Sequence, residues 1–283
     1  MKSIKTLVAD IESVVLGNGG WDATLTKHLA DNISLAAERR FGTKAEPREG
    51  TLRMSNIGSP CKRKLWYHVN NPPAASTLKA NTLLKFAYGD IIESLLLSLA
   101  KASGHTVEGE QDEIVVDGIV GHRDCVIDGV TVDIKSASSY SFKKFEQNGI
   151  RKDDPFGYLA QLTGYVYAGK DDPLVKDKAG GAFLVMDKVS GDLCLDYYNL
   201  TTDLFKFPRQ LEETKAIVKR PAAPPRQFKD MPDGKSGNMK LDTACSYCDY
   251  HDICWPGLRT FFYSSGPIFL TKVVNTPKVP EKR

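Results

Sequence analysis

"GHRDCVIDGVTVDIKSAS", residues 121–138, decides how the rest of the chain is read. Asp128-Gly129 is a strong signal for a two-residue hairpin turn, because such a turn needs positive φ at both central positions. With Ile127 facing Val130, Asp124 stands opposite Asp133 and His122 opposite Lys135. Strand side chains alternate between faces. Cys125, Ile127, Val130, Val132 and Ile134 therefore share a face fit for a core, and Asp124, Asp133 and Lys135 share the other. Cross-strand partners stand about 5 Å apart at Cβ. Two carboxylates so placed repel unless a proton or a cation sits between them. A hard divalent ion, magnesium or manganese, suits both, and the Ile134 carbonyl can complete its shell. Lys135 then positions or helps to deprotonate a water, or stabilises charge on a phosphoryl oxygen. The plain alternative is a solvated hairpin face whose charges share no task.

Glu93 strengthens the first reading. It interrupts an apolar helix face made by Ile91, Ile92, Leu95 and Leu96, where a carboxylate is costly to bury without a partner. A metal shared with Asp124 and Asp133 supplies one; an outward-facing glutamate is the alternative. Gln161 and Tyr165 lie one helical turn apart and have polar tips that can meet a phosphate or a water. They fit ordinary packing as well. His122 reads as a phosphate or carboxylate partner, or as an ordinary strand histidine.

Helical periodicity covers 6–17 and 22–41, and 79–103 with Gly104 as its stop. A polar stretch, 41–60, and a connector, 71–76, flank a short basic helix after Pro60. Strands are expected at 106–116, 119–127 and 130–135. A helix at 140–148 and another after Pro155 follow, then strands at 181–187 and 193–199 and a helix at 201–219. This order predicts an α/β fold with a mixed central sheet flanked by helices. The chain divides on this reading into an N-terminal helical region (1–78), a core (79–220), a cysteine-bearing segment (221–263) and a tail (264–283) without a core of its own, all in one integrated domain.

The 283 residues carry a net charge of +3, too weak to argue for nucleic acid by itself. The strongest apolar run, 91–100, contains Glu93 and reads as a buried helix, so no membrane partner is expected. The N-terminus lacks the pattern of a secretion signal, which points to the cytoplasm and reduced cysteines. Cys245-x-x-Cys248-x5-Cys254 offers three thiolates, and Cys61 is the best fourth ligand, with His251 competing. Cys125 and Cys194 read as buried small hydrophobes. Four thiolates suit zinc or an iron–sulfur cluster equally. Lys62, Arg63 and Lys64 beside Cys61 are a basic cluster that can meet DNA, with Trp66, Tyr67, Tyr140, Phe142 and Phe145 near basic groups as stacking candidates. Lysines snorkelling around a packed aromatic core explain them equally well.

Together these residues resemble the RecB-type PD-(D/E)xK nucleases, from about residue 55 to 256. Asp124 matches the first metal-binding aspartate, and Asp133-Ile134-Lys135 the (D/E)-x-K element. "QLTGY" (161–165) is similar to the Gln-x-x-x-Tyr motif, and "YGDIIESLL" (88–96) to the preceding helix, with Glu93 where many members carry histidine. Phage recombination exonucleases of the superfamily similarly carry glutamate there. The resemblance implies a restriction-endonuclease-like fold. It also implies metal-dependent hydrolysis of DNA, single-stranded or with ends, by an exonuclease of recombination, repair or phage DNA processing, in the host cytoplasm if phage-encoded. One subgroup, which includes CRISPR-associated adaptation nucleases, holds a [4Fe–4S] cluster through one cysteine before the nuclease motifs and three after. Cys61, Cys245, Cys248 and Cys254 reproduce that arrangement, which implies the cluster over Zn2+. There is no Walker-type loop, so a helicase or recombination partner is a separate chain. Two other classes stay open: a nucleic-acid-binding module that does not cleave, and a structural adaptor.

Overall fold

A computed structural model describes residues 2–42, 50–71 and 80–282. The connector expected at 71–76 lies outside the described residues apart from Asn71. So do 43–49 of the polar stretch and the expected boundary at 78/79. The helices are α1 (Leu7–Val15), α2 (Ala23–Phe41), α3 (Met54–Ile57), α4 (Lys62–Asn70), α5 (Ala80–Ala102), α6 (Ser139–Glu146), α7 (Tyr158–Ala168), α8 (Thr201–Val218), α9 (Thr243–Ser246) and α10 (His251–Cys254). The strands are β1 (Val107–Glu108), β2 (Glu113–Val116), β3 (Ile119–His122), β4 (Cys125–Ile127), β5 (Val130–Ala137), β6 (Gly180–Asp187), β7 (Leu193–Asn199), β8 (Met231–Pro232), β9 (Met239–Lys240), β10 (Arg259–Tyr263) and β11 (Gly266–Lys272).

The described chain forms two compact units, one of residues 2–42, 52–58 and 80–212, the other of 50–51, 59–71 and 213–282. In the first, a sheet runs in the order β1-β4-β5-β6-β7, with β5 and β6 parallel and the other neighbours antiparallel. One face packs Leu7 and Ile11 of α1 and Ile92, Leu96 and Ala100 of α5 against Cys125, Ile127, Val132 and Ile134. The other packs Phe142 and Phe145 of α6 and Leu162 and Val166 of α7 against Phe183 and Val185. This is the expected mixed sheet flanked by helices. The Asp22 carboxylate caps α2 by accepting from the Leu25 amide, and Gly104, at φ 78°, follows the end of α5.

The hairpin forms with the expected register: Ile127 faces Val130 and Cys125 faces Val132. Asp128 and Gly129 both have positive φ, 51° and 84°. The expected strand 119–127 is, however, two strands in two sheets. β3 pairs with β2, so His122 faces Glu113 and not Lys135. The break falls at Arg123-Asp124, where the Arg123 amide donates to the Asp112 carbonyl and the Gln111 amide to the Asp124 carbonyl. Arg123 is a buried cation that must be paired; it turns inward to Asp112 (2.8 Å) and Asp172 (2.6 Å), which pulls the chain out of a continuous strand. The expected strand 106–116 divides likewise into β1 and β2.

In the second unit, among the described residues, an antiparallel sheet runs β10-β11-β9-β8. This corrects the reading of 264–283 as a tail: β11 lies in it, and the boundary at 263/264 falls inside the β10–β11 hairpin. Phe261 and Leu270 are 1% exposed. Residues 59–71 belong with this unit and 52–58 with the first, so 1–78 is not one region. The integrated single domain gives way to two units that divide at 212/213 rather than 220/221. No helix among the described residues is long and apolar enough to cross a membrane.

Candidate active site and cysteine centre

Three carboxylates meet in one buried electrostatic field in the first unit. Asp133 sits mid-strand in β5, opposite Phe183 of β6, and is 1% exposed. Asp124 precedes β4 and its Oδ2 accepts from the Ile134 amide at 2.6 Å. Glu93 comes from α5, and its Oε1 accepts from Gln111 Nε2 at 2.5 Å. Burial, then Asp90 and Asp133, push the Glu93 carboxyl up from 4.5 to about 7 against the Gln111 hydrogen bond. Burial, then Asp133 and Glu93, push Asp124 well above the usual carboxylate range. Lys135 Nζ lies 2.5 Å from Asp133 Oδ2. Burial works against its charge, but Asp133 and Asp124 outweigh burial and hold it above the ordinary lysine value. Lys135 is therefore a firmly held ammonium, a donor rather than a base.

Asp133 Oδ2 is met by the Lys135 ammonium, while Oδ1 is buried without a hydrogen bond. A buried carboxylate oxygen left unbonded is costly. Among the described residues, no three His, Cys, Asp or Glu side chains are arranged as a closed metal-binding group. The reason is local: Glu93 is turned to Gln111, Asp124 to the Ile134 amide and Asp133 to Lys135. Even so, the donor set fits a hard divalent cation, because Asp133 and Glu93 raise the proton affinity of Asp124, Asp133 raises that of Glu93, and Asp133 Oδ1 has no hydrogen bond. Glu93, Asp124 and Asp133 are the residues to hold it.

Glu93 opens onto a cleft of about 410 Å3 that Arg39, Asp90, Gln111 and His122 also line. The Arg40 guanidinium binds Asp90 through Nε and Nη2 at 2.6 and 2.8 Å, which fixes the turn of α5 before Glu93. The His122 side chain is 54% exposed and 3.8 Å from Glu113, so it is available at the cleft although not at Lys135. Gln161 Nε2 donates to the Tyr165 hydroxyl at 3.0 Å. The Tyr165 ring is core, packed with Met54 and Phe207, and burial pushes its hydroxyl up to about 12. Gln161, half-buried, is the member of the pair that reaches solvent.

Sequence reasoning missed Gln111 and Tyr158. Gln111, at φ 55°, takes a left-handed conformation that glutamine seldom adopts, and no local pattern announces it. Its backbone holds Asp124 while its side chain holds Glu93. Tyr158 lies under Lys135, with Nζ 5.1 Å from the ring centroid.

The cysteines lie in the second unit. Tyr67 of α4 stacks on Tyr250 at 5.7 Å, which brings the Cys61 end of α4 to the 245–254 segment. Cys61 Sγ accepts from the Lys64 amide at 3.4 Å. Burial, then Cys61, push the Cys245 thiol up to about 11, against the indole of Trp255. Burial raises Cys248, with Cys61 adding to it and Lys64 opposing. Trp255 Nε1 is buried without a full hydrogen bond and faces this cluster, a donor suited to a thiolate. The Cys254 carbonyl accepts from Arg226 Nε and Nη2, which secures the third cysteine's backbone. Cys61, Cys245 and Cys248 thus act on one another electrostatically; like the carboxylates they form no closed metal-binding group among the described residues, but thiols of this number are the donor type for zinc or an iron–sulfur cluster. His251 Nδ1 donates to the Cys248 carbonyl at 2.5 Å, its Nε2 lies 3.5 Å from Asp252 Oδ1, and its ring packs on Phe269. Cys125 is buried as expected, whereas Cys194 is only half-buried. Arg63 donates to the Pro224 carbonyl and the Tyr67 hydroxyl, and Lys62 to Thr214, so both serve the packing of this unit. Lys64 is the exposed member of the basic trio, and among the stacking candidates Phe142 and Phe145 are core.

No protein-family profile matches the chain, and no curated protein matches it. Among solved structures, the chain is similar to SSO0001 over 81% of this chain and 95% of that one, at 18% identity and a TM-score of 0.42. That likeness is too loose to carry an argument.

Proposed function

We propose that the chain is a metal-dependent deoxyribonuclease of the PD-(D/E)xK type, an exonuclease acting on DNA ends in recombination, repair or phage DNA processing. The observation that carries this reading is the meeting of Glu93, Asp124 and Asp133 in one buried field, with Asp133 Oδ1 unbonded and its Oδ2 against a charged Lys135. Nucleic-acid binding alone does not call for opposed buried acids, whose repulsion is a cost.

Glu93, Asp124 and Asp133 would hold a magnesium or manganese ion, which would supply a Lewis acid for the scissile phosphodiester. The chain's own part is positioning. The Lys135 ammonium donates to a non-bridging phosphoryl oxygen and to the incoming water. The water oxygen forms a bond to phosphorus as the bond to the departing sugar oxygen breaks; the water gives up a proton to solvent, and the departing oxygen takes one from solvent. Gln111 keeps Glu93 and Asp124 aligned, while His122 and Gln161 offer donors to neighbouring phosphates. Cys61, Cys245, Cys248 and Cys254 would hold a [4Fe–4S] cluster, or Zn2+, as a cross-link within the second unit. The partners are DNA and a separately encoded helicase or recombination protein, and the place of work is the cytoplasm.

An anaerobic digestion series tests this, comparing circular, linear, end-blocked and single-stranded DNA with one divalent ion at a time. Cleavage that needs an end, and that Asp124→Ala and Lys135→Ala abolish without loss of fold, supports it. Binding without cleavage under every ion refutes it in favour of a binding module. Neither binding nor cleavage leaves the adaptor reading.

A further inference from the structure

We infer that Phe156 is a stacking platform for one unpaired base of the DNA strand, beside the nucleotide whose phosphate meets Lys135. This rests on the nuclease reading of the same site and names a subsite for it. Phe156 is 62% exposed. Its ring lies 5.3 Å from that of Tyr158, tilted by 31°. Tyr158 in turn carries Lys135 Nζ at 5.1 Å, and it is backed by Phe145 at 5.8 Å and Phe183 at 6.3 Å. A continuous run of rings thus leads from the core, past the catalytic lysine, to an exposed aromatic face.

The exposure is built in. Asp154 Oδ1 accepts from the amides of Gly157 and Tyr158 at 2.8 and 2.9 Å, and Oδ2 from Leu159 at 2.9 Å. Three hydrogen bonds therefore fix the turn that displays Phe156. Gly157, at φ 77°, adds a second constraint: a Cβ there would stand 2.1 Å from the Gly58 carbonyl oxygen. In this conformation the turn leaves the ring in water. An aromatic held in water on a rigid turn, next to a site for phosphate, presents a face to any base that is free to stack, and a base within a duplex is not. The sequence reading passed over Phe156 because it lies in the loop before a helix, where an aromatic has no periodic signature.

Single-stranded oligonucleotides carrying 2-aminopurine at successive positions test the assignment, bound to the whole protein with calcium in place of magnesium. One position should show strongly quenched fluorescence. Phe156→Ala should abolish that quench and weaken single-strand binding by roughly five- to a hundred-fold, with duplex binding much less affected. Phe156→Trp should restore both. Phe205→Ala removes another exposed aromatic, one that lies on α8, and should leave the quench intact. A Phe156→Ala protein with the parent's quench profile and affinity overturns the assignment, as does a parent that does not bind single strands. A parent that stacks the base yet cleaves nothing in magnesium or manganese overturns the nuclease reading alone.

Discussion

Replacing Glu93 with glutamine should stabilise the metal-free protein, and the gain should grow with pH. In the fold the Glu93 carboxyl is raised from 4.5 to about 7, chiefly by burial and then by Asp90 and Asp133. The folded protein therefore binds an extra proton between these values. Its stability falls as pH rises through that window and levels off above it. At about 1.36 kcal/mol per pKa unit, ionised Glu93 costs the metal-free fold roughly 3 kcal/mol at pH 8.5 and roughly 1 kcal/mol at pH 5.5. Glu93→Gln removes the charge and keeps an oxygen to accept from Gln111 Nε2. Urea unfolding in EDTA at the two pH values, followed by tryptophan and far-UV signals, should show the variant ahead by those amounts. With saturating magnesium the order should reverse, because the parent gains binding energy that glutamine forgoes. A variant no more stable than the parent at pH 8.5, or a pH-independent difference, would mean that the carboxylates do not share one buried field, and the argument for a metal at that place would fail with it.

Three further outcomes follow from other parts of the molecule. Asp196, 1% exposed, is raised from 3.8 to about 6 by burial, against a hydrogen bond from the Tyr198 hydroxyl; stability is lost as pH rises between those values. Asp196→Asn should flatten this slope and gain roughly 1–3 kcal/mol at pH 7, read as a shift in urea midpoint with pH. Cys61→Ser should lose the iron or zinc of an anaerobic preparation and destabilise the second unit by on the order of 3–5 kcal/mol, whereas Cys194→Ser should retain the metal; elemental analysis and the visible spectrum decide both. Gly157→Ala, with its Cβ forced against Gly58, should cost about 2–4 kcal/mol, while Gly191→Ala, at φ 85° with nothing within 4 Å, should cost about 1 kcal/mol, both read by urea unfolding.

The hairpin at 125–132 was legible because its determinants are local. Asp-Gly supplies the turn, and strict alternation sorts Val132 and Ile134 from Asp133 and Lys135. The apolar helix at 91–100 and the spacing of Cys245, Cys248 and Cys254 are local signals too. Arg123 was not legible: strand propensity runs smoothly through 119–127, and its two carboxylate partners come from loops on either side of it, Asp112 before β2 and Asp172 before β6. Lys62 and Arg63 look like a nucleic-acid patch until Thr214 and the Pro224 carbonyl occupy them.

The sequence by itself determined which side chains share a face, where the chain turns, and which residue types are on hand to hold a cation or a soft metal. Only the tertiary structure decided that Gln111 aligns Glu93 with Asp124, that Tyr158 and Phe156 extend the site beyond Lys135, and that residues 266–272 join a sheet. Periodicity along a chain reports the direction in which each side chain leaves it. Burial, charge repulsion and unmet hydrogen bonds are sums over whatever stands opposite, and they exist only once distant segments have packed.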